Sequence, residues 1–167
     1  MSTLVVISIF PLCMIVAAAY DVATMTIPNW LSIVLVATFP LFVLAHGMPA
    51  AAAGAHAAVG AAALALGFGL FAAGYVGGGD AKLLAATSLW VGWHAYLPYV
   101  FFTGLIGGAL ALAVLFVRQF PLPVRLASQP WIARLHTPGG GIPYGVALAA
   151  GGLAVFADME VFRLMAS

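Results

Sequence analysis

Long apolar stretches, separated by short breaks rich in proline and polar residues, make up almost all of this chain. A bilayer core about 30 Å thick requires roughly 20 apolar residues per spanning helix, and fewer where the helix ends lie in the interface. Six stretches meet this requirement, so we predict an all-α, polytopic integral membrane protein with six transmembrane helices in a single domain, 1–167. The predicted helices cover about residues 3–20, 29–46, 50–76, 81–93, 96–117 and 142–157.

The residues within and between these segments add detail. The third segment is built almost wholly of alanine and glycine, which allow helices to pack closely in lipid. Pro28 and Pro143 suit the first turn of the second and sixth segments, where a missing N–H costs no helical hydrogen bond. The fourth segment is short for a span, and it depends on the irregular stretch beside it to cross the membrane.

The charge content supports a membrane protein and excludes several kinds of partner. Only 5% of the residues are charged and 65% are hydrophobic, whereas soluble domains are about a quarter charged. Because the net charge is +1 and no basic run occurs, nucleic acid is not expected as a partner. Cys13 is the single cysteine, which excludes an intrachain disulfide and a zinc site built of paired cysteines.

The arginines predict the orientation of the chain. Three of them lie in the one long break, residues 118–140: Arg118, Arg125 and Arg134. Positive charge is concentrated in cytoplasmic loops, so this loop is expected to be cytoplasmic. Counting crossings from it brings Asp21 and Asp80 to the same, cytoplasmic, face. The mixture of arginine with leucine and aromatic residues suits a loop lying on the anionic inner membrane surface.

Asp21 and Asp80 are the leading candidates for chemistry, because an ionisable residue at the edge of a membrane segment is costly. Asp80 precedes a predicted helix, so a structural role as a helix N-cap is equally open from this residue alone. Asp21 follows the end of the first segment, where the helix dipole disfavours an anion. Two aspartates on one face are the minimum for aspartic peptide hydrolysis, in which two carboxyl groups share one proton.

The residues around Asp80 have two interpretations each. Gly77, Gly78 and Gly79 form either a flexible link with permissive dihedrals or a floor that lets a peptide approach Asp80 closely. Irregular backbone at this depth requires burial in protein or a wet cavity, so we expect a watery cleft at Asp80. Lys82 is either an interface residue whose ammonium group reaches water or part of the site.

The other ionisable residues are not expected to form a site, and we predict no metal and no cofactor. Three histidines, His46, His56 and His94, lie toward the non-cytoplasmic side without a carboxylate nearby, and His136 lies in the basic loop. Such isolated imidazoles do not make up a metal ligand set. Asp158 and Glu160 fall in a C-terminal tail, where we expect them to remain solvated.

Two other classes of function remain open from the residues alone. Asp21 and Asp80 could relay protons in a small proton-coupled transporter or channel subunit, but a relay requires carboxyl groups spaced across the membrane. A purely structural membrane subunit would leave Asp21 unexplained. The predicted position of both aspartates at one face favours the peptidase.

Three motifs resemble the type IV prepilin peptidases, a family of membrane aspartyl proteases named for a GxGD motif. GGGDAKLLAA supplies Gly77, Gly79 and Asp80 with the family's Lys-Leu-Leu continuation. YDVATMTIPNW places Ile-Pro-Asn six residues after Asp21, and GIPYGVALAAGG matches the Pro-Tyr-Gly entry to the last helix. The resemblance covers essentially the whole chain, in order.

The resemblance implies that Asp21 and Asp80 are the catalytic pair. It also implies residues that shape the site or bind substrate: Gly77, Gly78, Gly79, Lys82, Pro143, Tyr144 and Gly145. Tyr144 either enters the site or anchors its helix at the membrane interface. The stretch VATMT after Asp21 lacks the basic residues that are common there in relatives.

The resemblance further implies the partners and the location. The substrate is a prepilin of the short, adhesion-type class, with a leader peptide and a hydrophobic helix, cut at the cytoplasmic face of a bacterial inner membrane. Large family members carry an added cytoplasmic segment with paired cysteines and methylate the new N-terminus. With one cysteine, this chain resembles the short form that only cleaves. No oligomeric state is implied.

Overall fold

The computed structural model describes residues 3–166, together with the side chains of residues 8–162 and 164. The first two residues and the last residue of the predicted domain lie outside this range. Within it the chain forms α-helices and one short 3-10 helix, with no strand, which confirms the all-α prediction for this part. The helices are α1 (Thr3–Thr24), α2 (Asn29–His46), α3 (Ala50–Ala72), α4 (Gly78–Val117), α5 (Val124–Ala127), α6 (Pro130–His136), α7 (Tyr144–Ala154) and α8 (Glu160–Ala166), with the 3-10 helix at Phe156–Asp158.

Among the residues whose side chains are described, three helices, α2, α3 and α4, are long and apolar enough to cross a membrane. The described part of α1 from Ser8 onward and α7 are shorter apolar helices. The bundle therefore supports the prediction of a helical membrane protein, and the number of six spans stays a prediction.

α4 folds back on itself at Gly92. This residue has φ 65° and ψ −177°, a combination that is essentially restricted to glycine. A cavity of about 110 Å³ is lined by Asp80 from one side of the break and Thr103 from the other. In a straight helix these residues would be about 35 Å apart. The arms 78–91 and 93–117 thus correspond to the predicted fourth and fifth segments. The break at Gly92 lies just before the predicted gap between residues 93 and 96.

Several helix ends differ from the prediction. α1 continues to Thr24, so Asp21 lies inside its last turn and not after it. α3 ends at Ala72, before residue 76, because the chain turns through Gly74 at φ 79°. Pro28 and Pro143 are the N-caps of α2 and α7 and not residues of their first turns.

The predicted loop 118–140 contains the short helices α5 and α6, neither of which has a buried residue. Arg118 and Arg134 donate hydrogen bonds to main-chain carbonyl oxygens. Two of the three arginines therefore have partners within the protein. A role of the loop at an anionic membrane surface stays a prediction.

The C-terminal segment packs into the core through its apolar residues, while Asp158 is exposed, as expected, and the Glu160 side chain is one-third exposed. Met159 and Val161 are fully buried, and they belong to the same hydrophobic cluster as Trp90. The Oε2 atom of Glu160 lies 3.6 Å from Nε2 of His56. The expectation that His56 has no carboxylate neighbour is therefore wrong, because packing of α8 brings one to it.

Candidate active site

The last turn of α1 positions Asp21. Met25 ends the helix in a left-handed conformation, φ 55°, while its N–H still donates to the Asp21 carbonyl oxygen at 2.8 Å. The Asp21 side chain is turned inward and only 5% exposed. Its Oδ2 atom accepts a hydrogen bond of 2.7 Å from the main-chain N–H of Gly145 in α7. One oxygen of a carboxylate surrounded by apolar helices thus has a backbone hydrogen-bond donor.

The first turn of α4 positions Asp80. The N-cap of this helix is Gly77. The alternative that Asp80 itself is the N-cap is therefore wrong. The Asp80 carboxylate instead interacts with the main chain of Gly77, as the acidic member of a capping box does at the third helical position. Capping and chemistry are compatible here, because the same carboxylate also faces open space.

Asp21 and Asp80 line one cavity of about 320 Å³ and interact electrostatically. The remaining lining residues come from the turn between α1 and α2 and from the start of α4: Met25, Thr26, Ile27, Asn29, Gly77, Gly78 and Gly79. The cleft expected at Asp80 is present, and the second aspartate faces it. The structure therefore brings together two carboxyl groups that are 59 residues apart in the sequence.

Close packing explains the glycines before Asp80 better than flexibility does. None of the three is among the described glycines with positive φ, and Gly78 and Gly79 are helical. A Cβ at Gly79 would lie 3.2 Å from Cβ of Ile27, and one at Gly78 would lie 3.3 Å from the Phe71 ring. The flexible-link interpretation is therefore wrong for these two, and their missing side chains bring the main chain close to its neighbours.

The Pro-Tyr-Gly motif meets both aspartates. A Cβ at Gly145 would lie 2.8 Å from Oδ2 of Asp21, so only glycine fits beside this carboxylate. Tyr144 is about half exposed, and it lines the small cavity of about 110 Å³ that Asp80 also lines. Pro143 is buried at the N-cap of α7. Tyr144 and Gly145 thus lie beside the aspartates, on a helix far along the sequence from either, and Pro143 caps the start of that helix.

Lys82 lies outside the aspartate cavity and contacts Asn29. Asn29 belongs to the Ile-Pro-Asn motif, but it is not among the predicted site residues. The Nζ atom of Lys82 donates a hydrogen bond of 3.0 Å to Oδ1 of Asn29. Asn29 lines the aspartate cavity and also an adjoining groove of about 670 Å³. Lys82 lines only the groove. The Ile-Pro-Asn motif was the available signal for Asn29.

No group of three or more histidine, cysteine, aspartate or glutamate side chains suited to a metal ion occurs among the residues whose side chains are described. The two aspartates are accompanied in their cavity by backbone groups, a threonine and an amide. The arrangement is suited to activating and orienting a water molecule with carboxyl groups.

The comparisons with known proteins identify one family. The sequence model of the type IV leader peptidase family matches residues 8–112, which is more than half of the chain and includes both aspartates. No curated protein and no solved structure matches the chain. α7 lies beyond the matched residues, so its contact with Asp21 rests on the geometry alone.

Proposed function

The chain belongs to the type IV leader peptidase family, and from this we propose that it is an aspartic endopeptidase that cleaves the leader of short, adhesion-type prepilins. Family membership supports a membrane protease of the prepilin type. The observation that supports the aspartic mechanism is the single cavity lined by Asp21 and Asp80. No cofactor is included in the proposal.

In this mechanism the two carboxyl groups share one proton. The ionised carboxylate takes a proton from a water molecule as its oxygen attacks the carbonyl carbon of the scissile peptide. The protonated carboxyl group donates a hydrogen bond to the carbonyl oxygen and stabilises the tetrahedral intermediate. The carboxyl group that took the proton from water then returns it to the leaving amine as the C–N bond breaks. The Gly145 N–H, which holds Oδ2 of Asp21, fixes one carboxyl group for these steps.

The adjoining groove supports a substrate in which an apolar helix follows the cleaved bond. Its lining is mostly aliphatic and alanine side chains of α2, α3 and the first arm of α4. Asn29 connects it to the aspartate cavity, since it lines both. A leader bond held between the aspartates would therefore have an apolar surface beside it for the following helix.

The cytoplasmic face of a bacterial inner membrane is the proposed location of the site. Asp21 lies close to the segment that carries the arginines, because Nη1 of Arg134 donates a hydrogen bond of 3.3 Å to the Ala23 carbonyl oxygen near the end of α1. An arginine-rich loop is typical of the cytoplasmic side. The proton-relay alternative is not favoured, since both aspartates line one cavity and are not spaced across the bundle.

Co-expression with a candidate prepilin tests the proposal. Asp21→Asn and Asp80→Asn keep the size of each side chain but remove its acid–base function, so each is expected to lower the cleavage rate by on the order of 10³-fold or more. Asp158→Asn, at an exposed aspartate, is the matched control and should cleave like the wild type. Persistent shortening of the prepilin by both site variants, at wild-type membrane levels, would exclude the aspartic mechanism.

A further inference from the structure

Arg118, the residue that follows α4, extends its guanidinium group into the segment that leads to α7. Its Nε atom donates to the Leu135 carbonyl oxygen at 2.8 Å, Nη1 to that of Gly140 at 3.0 Å, and Nη2 to that of Gly141 at 2.8 Å. One half-buried side chain thus binds three main-chain acceptors. We refer to these three hydrogen bonds as the Arg118 clamp.

The clamped segment leads directly to the candidate site. Gly141 is four residues before Gly145, whose N–H donates to Oδ2 of Asp21. The turn before it is closed by a hydrogen bond of 3.0 Å from the Gly140 N–H to the Thr137 carbonyl oxygen, with Gly139 at φ 72°. A glycine-rich turn of this kind has wide backbone freedom. The Arg118 clamp therefore restrains the main chain of the segment that enters α7.

Arginine is suited to this task because its planar guanidinium group presents five N–H donors in a fixed fork. A lysine would keep the positive charge but could not hold three carbonyl groups in the same geometry. Arg125 offers a contrast within the same loop. It lies on α5, which has no buried residue, so it shares the charge and the loop of Arg118 without the clamp.

We propose that Arg118 is a positioning residue for catalysis: through its clamp on 135–141 it holds the Gly145 N–H on the carboxylate of Asp21. The inference rests on the proposed function in so far as Asp21 is catalytic. A displacement of about 1 Å at a reacting group can reduce a rate on the order of 10²-fold. Loss of the clamp is therefore expected to act on the chemical step and not on substrate binding.

Kinetics of purified variants provide the first test. Arg118→Met is expected to lower kcat about 10- to 100-fold and to leave KM within about threefold, because the substrate surfaces are unchanged. Arg118→Lys should fall between Arg118→Met and the wild type. Arg125→Met removes the same charge from the same loop and should keep the wild-type kcat. Equal kcat values for Arg118→Met and Arg125→Met, or a loss confined to KM, would overturn the inference.

Amide hydrogen exchange provides a second test that requires no activity. In Arg118→Met the amides of residues 137–146, that of Gly145 included, should exchange faster than in the wild type, while those of α2 and α3 remain unchanged. Unchanged exchange at 137–146 would overturn the inference even if kcat falls. If Arg118→Met does not accumulate in the membrane, Arg118→Lys is measured in both assays against the same criteria. If the wild type cleaves no prepilin, the proposed function fails, and the exchange result still decides whether the clamp exists.

Discussion

Both ends of the bundle contain buried polar side chains, but the aspartate end has an open cavity and the histidine end is filled by a side chain. At one end Asp21 and Asp80 border an open cavity of about 320 Å³. At the other end, the His56 ring fills the space beside Gly92. Gly92 lies about 18 Å along the first arm of α4 from Asp80. His56 is 2% exposed and stacks on Phe39 with ring centroids 5.4 Å apart.

The partners of the polar groups differ in the same way. Nδ1 of His56 lies 2.8 Å from the Leu89 carbonyl oxygen, and because a carbonyl only accepts, this nitrogen carries the proton. The imidazole thus satisfies a main-chain acceptor just before the break in α4. Asp21, by contrast, has a backbone donor on one oxygen and still faces open volume. A buried polar side chain in a filled space is typical of a structural role, whereas two carboxyl groups at an open cavity are typical of an active site.

Each end of the bundle requires a glycine, one for space beside a side chain and the other for its backbone conformation. Substitution by alanine distinguishes these two requirements. At the aspartate end Gly145 leaves room for the carboxylate of Asp21. At the histidine end Gly92 adopts a backbone conformation that other residues avoid. We therefore expect alanine to damage activity at the first position and folding at the second.

Of the substitutions at Gly145, Gly92 and Glu160, Gly145→Ala is expected to have the largest effect, a loss of cleavage rate of about 10³-fold. The added methyl group would lie 2.6 Å from Cδ1 of Ile27 and 2.8 Å from Oδ2 of Asp21, so it displaces the carboxylate from its donor. A prepilin cleavage assay at matched protein levels measures this. Gly108→Ala is the control, since nothing lies within 4 Å of its Cβ position. A wild-type rate for Gly145→Ala would show that the contact with Asp21 has no role in catalysis.

Gly92→Ala is expected to lower the free energy of unfolding by about 3 kcal/mol, as judged from the cost of such backbone conformations in other residues. The His56 ring also occupies the space that the added Cβ would need. Unfolding in detergent measures the loss, and the fraction that remains folded should cleave normally. Gly47→Ala is the control, because this residue has φ 63° but no neighbour within 4 Å. Gly47 has ψ 30° and Gly92 has ψ −177°, so equal losses for the two variants would mean that neither the extended ψ of Gly92 nor the His56 ring adds to the cost.

Glu160→Gln is expected to have the smallest effect, less than about 1 kcal/mol in the free energy of unfolding. The Glu160 side chain is one-third exposed and its contact with His56 is 3.6 Å long, so water screens the interaction. Cleavage should be unchanged, in contrast to the aspartate variants. Asp158→Asn serves as the control for loss of a carboxylate nearby. A loss of cleavage with Glu160→Gln would connect the two ends of the bundle and remove the distinction between them.

Much of the candidate site could be predicted because it depends on local patterns. The limits of α2 were predicted correctly from an apolar run between Pro28 and Gly47. Asp21 and Asp80 were assigned to one face from the number of segments between them, and they line one cavity. The Arg118 clamp and the contact of His56 with Glu160 were not predicted, because each joins residues that no local pattern relates.

The sequence by itself determined the apolar segments, the family and the two candidate aspartates, because bilayer thickness constrains the length of apolar runs and motifs are contiguous in the chain. Only the tertiary structure decided that Gly145 donates to Asp21, 124 residues away. It also decided that α8 packs back into the core. Such contacts depend on how helices pack side by side, and packing is set by shape complementarity among residues far apart in the chain.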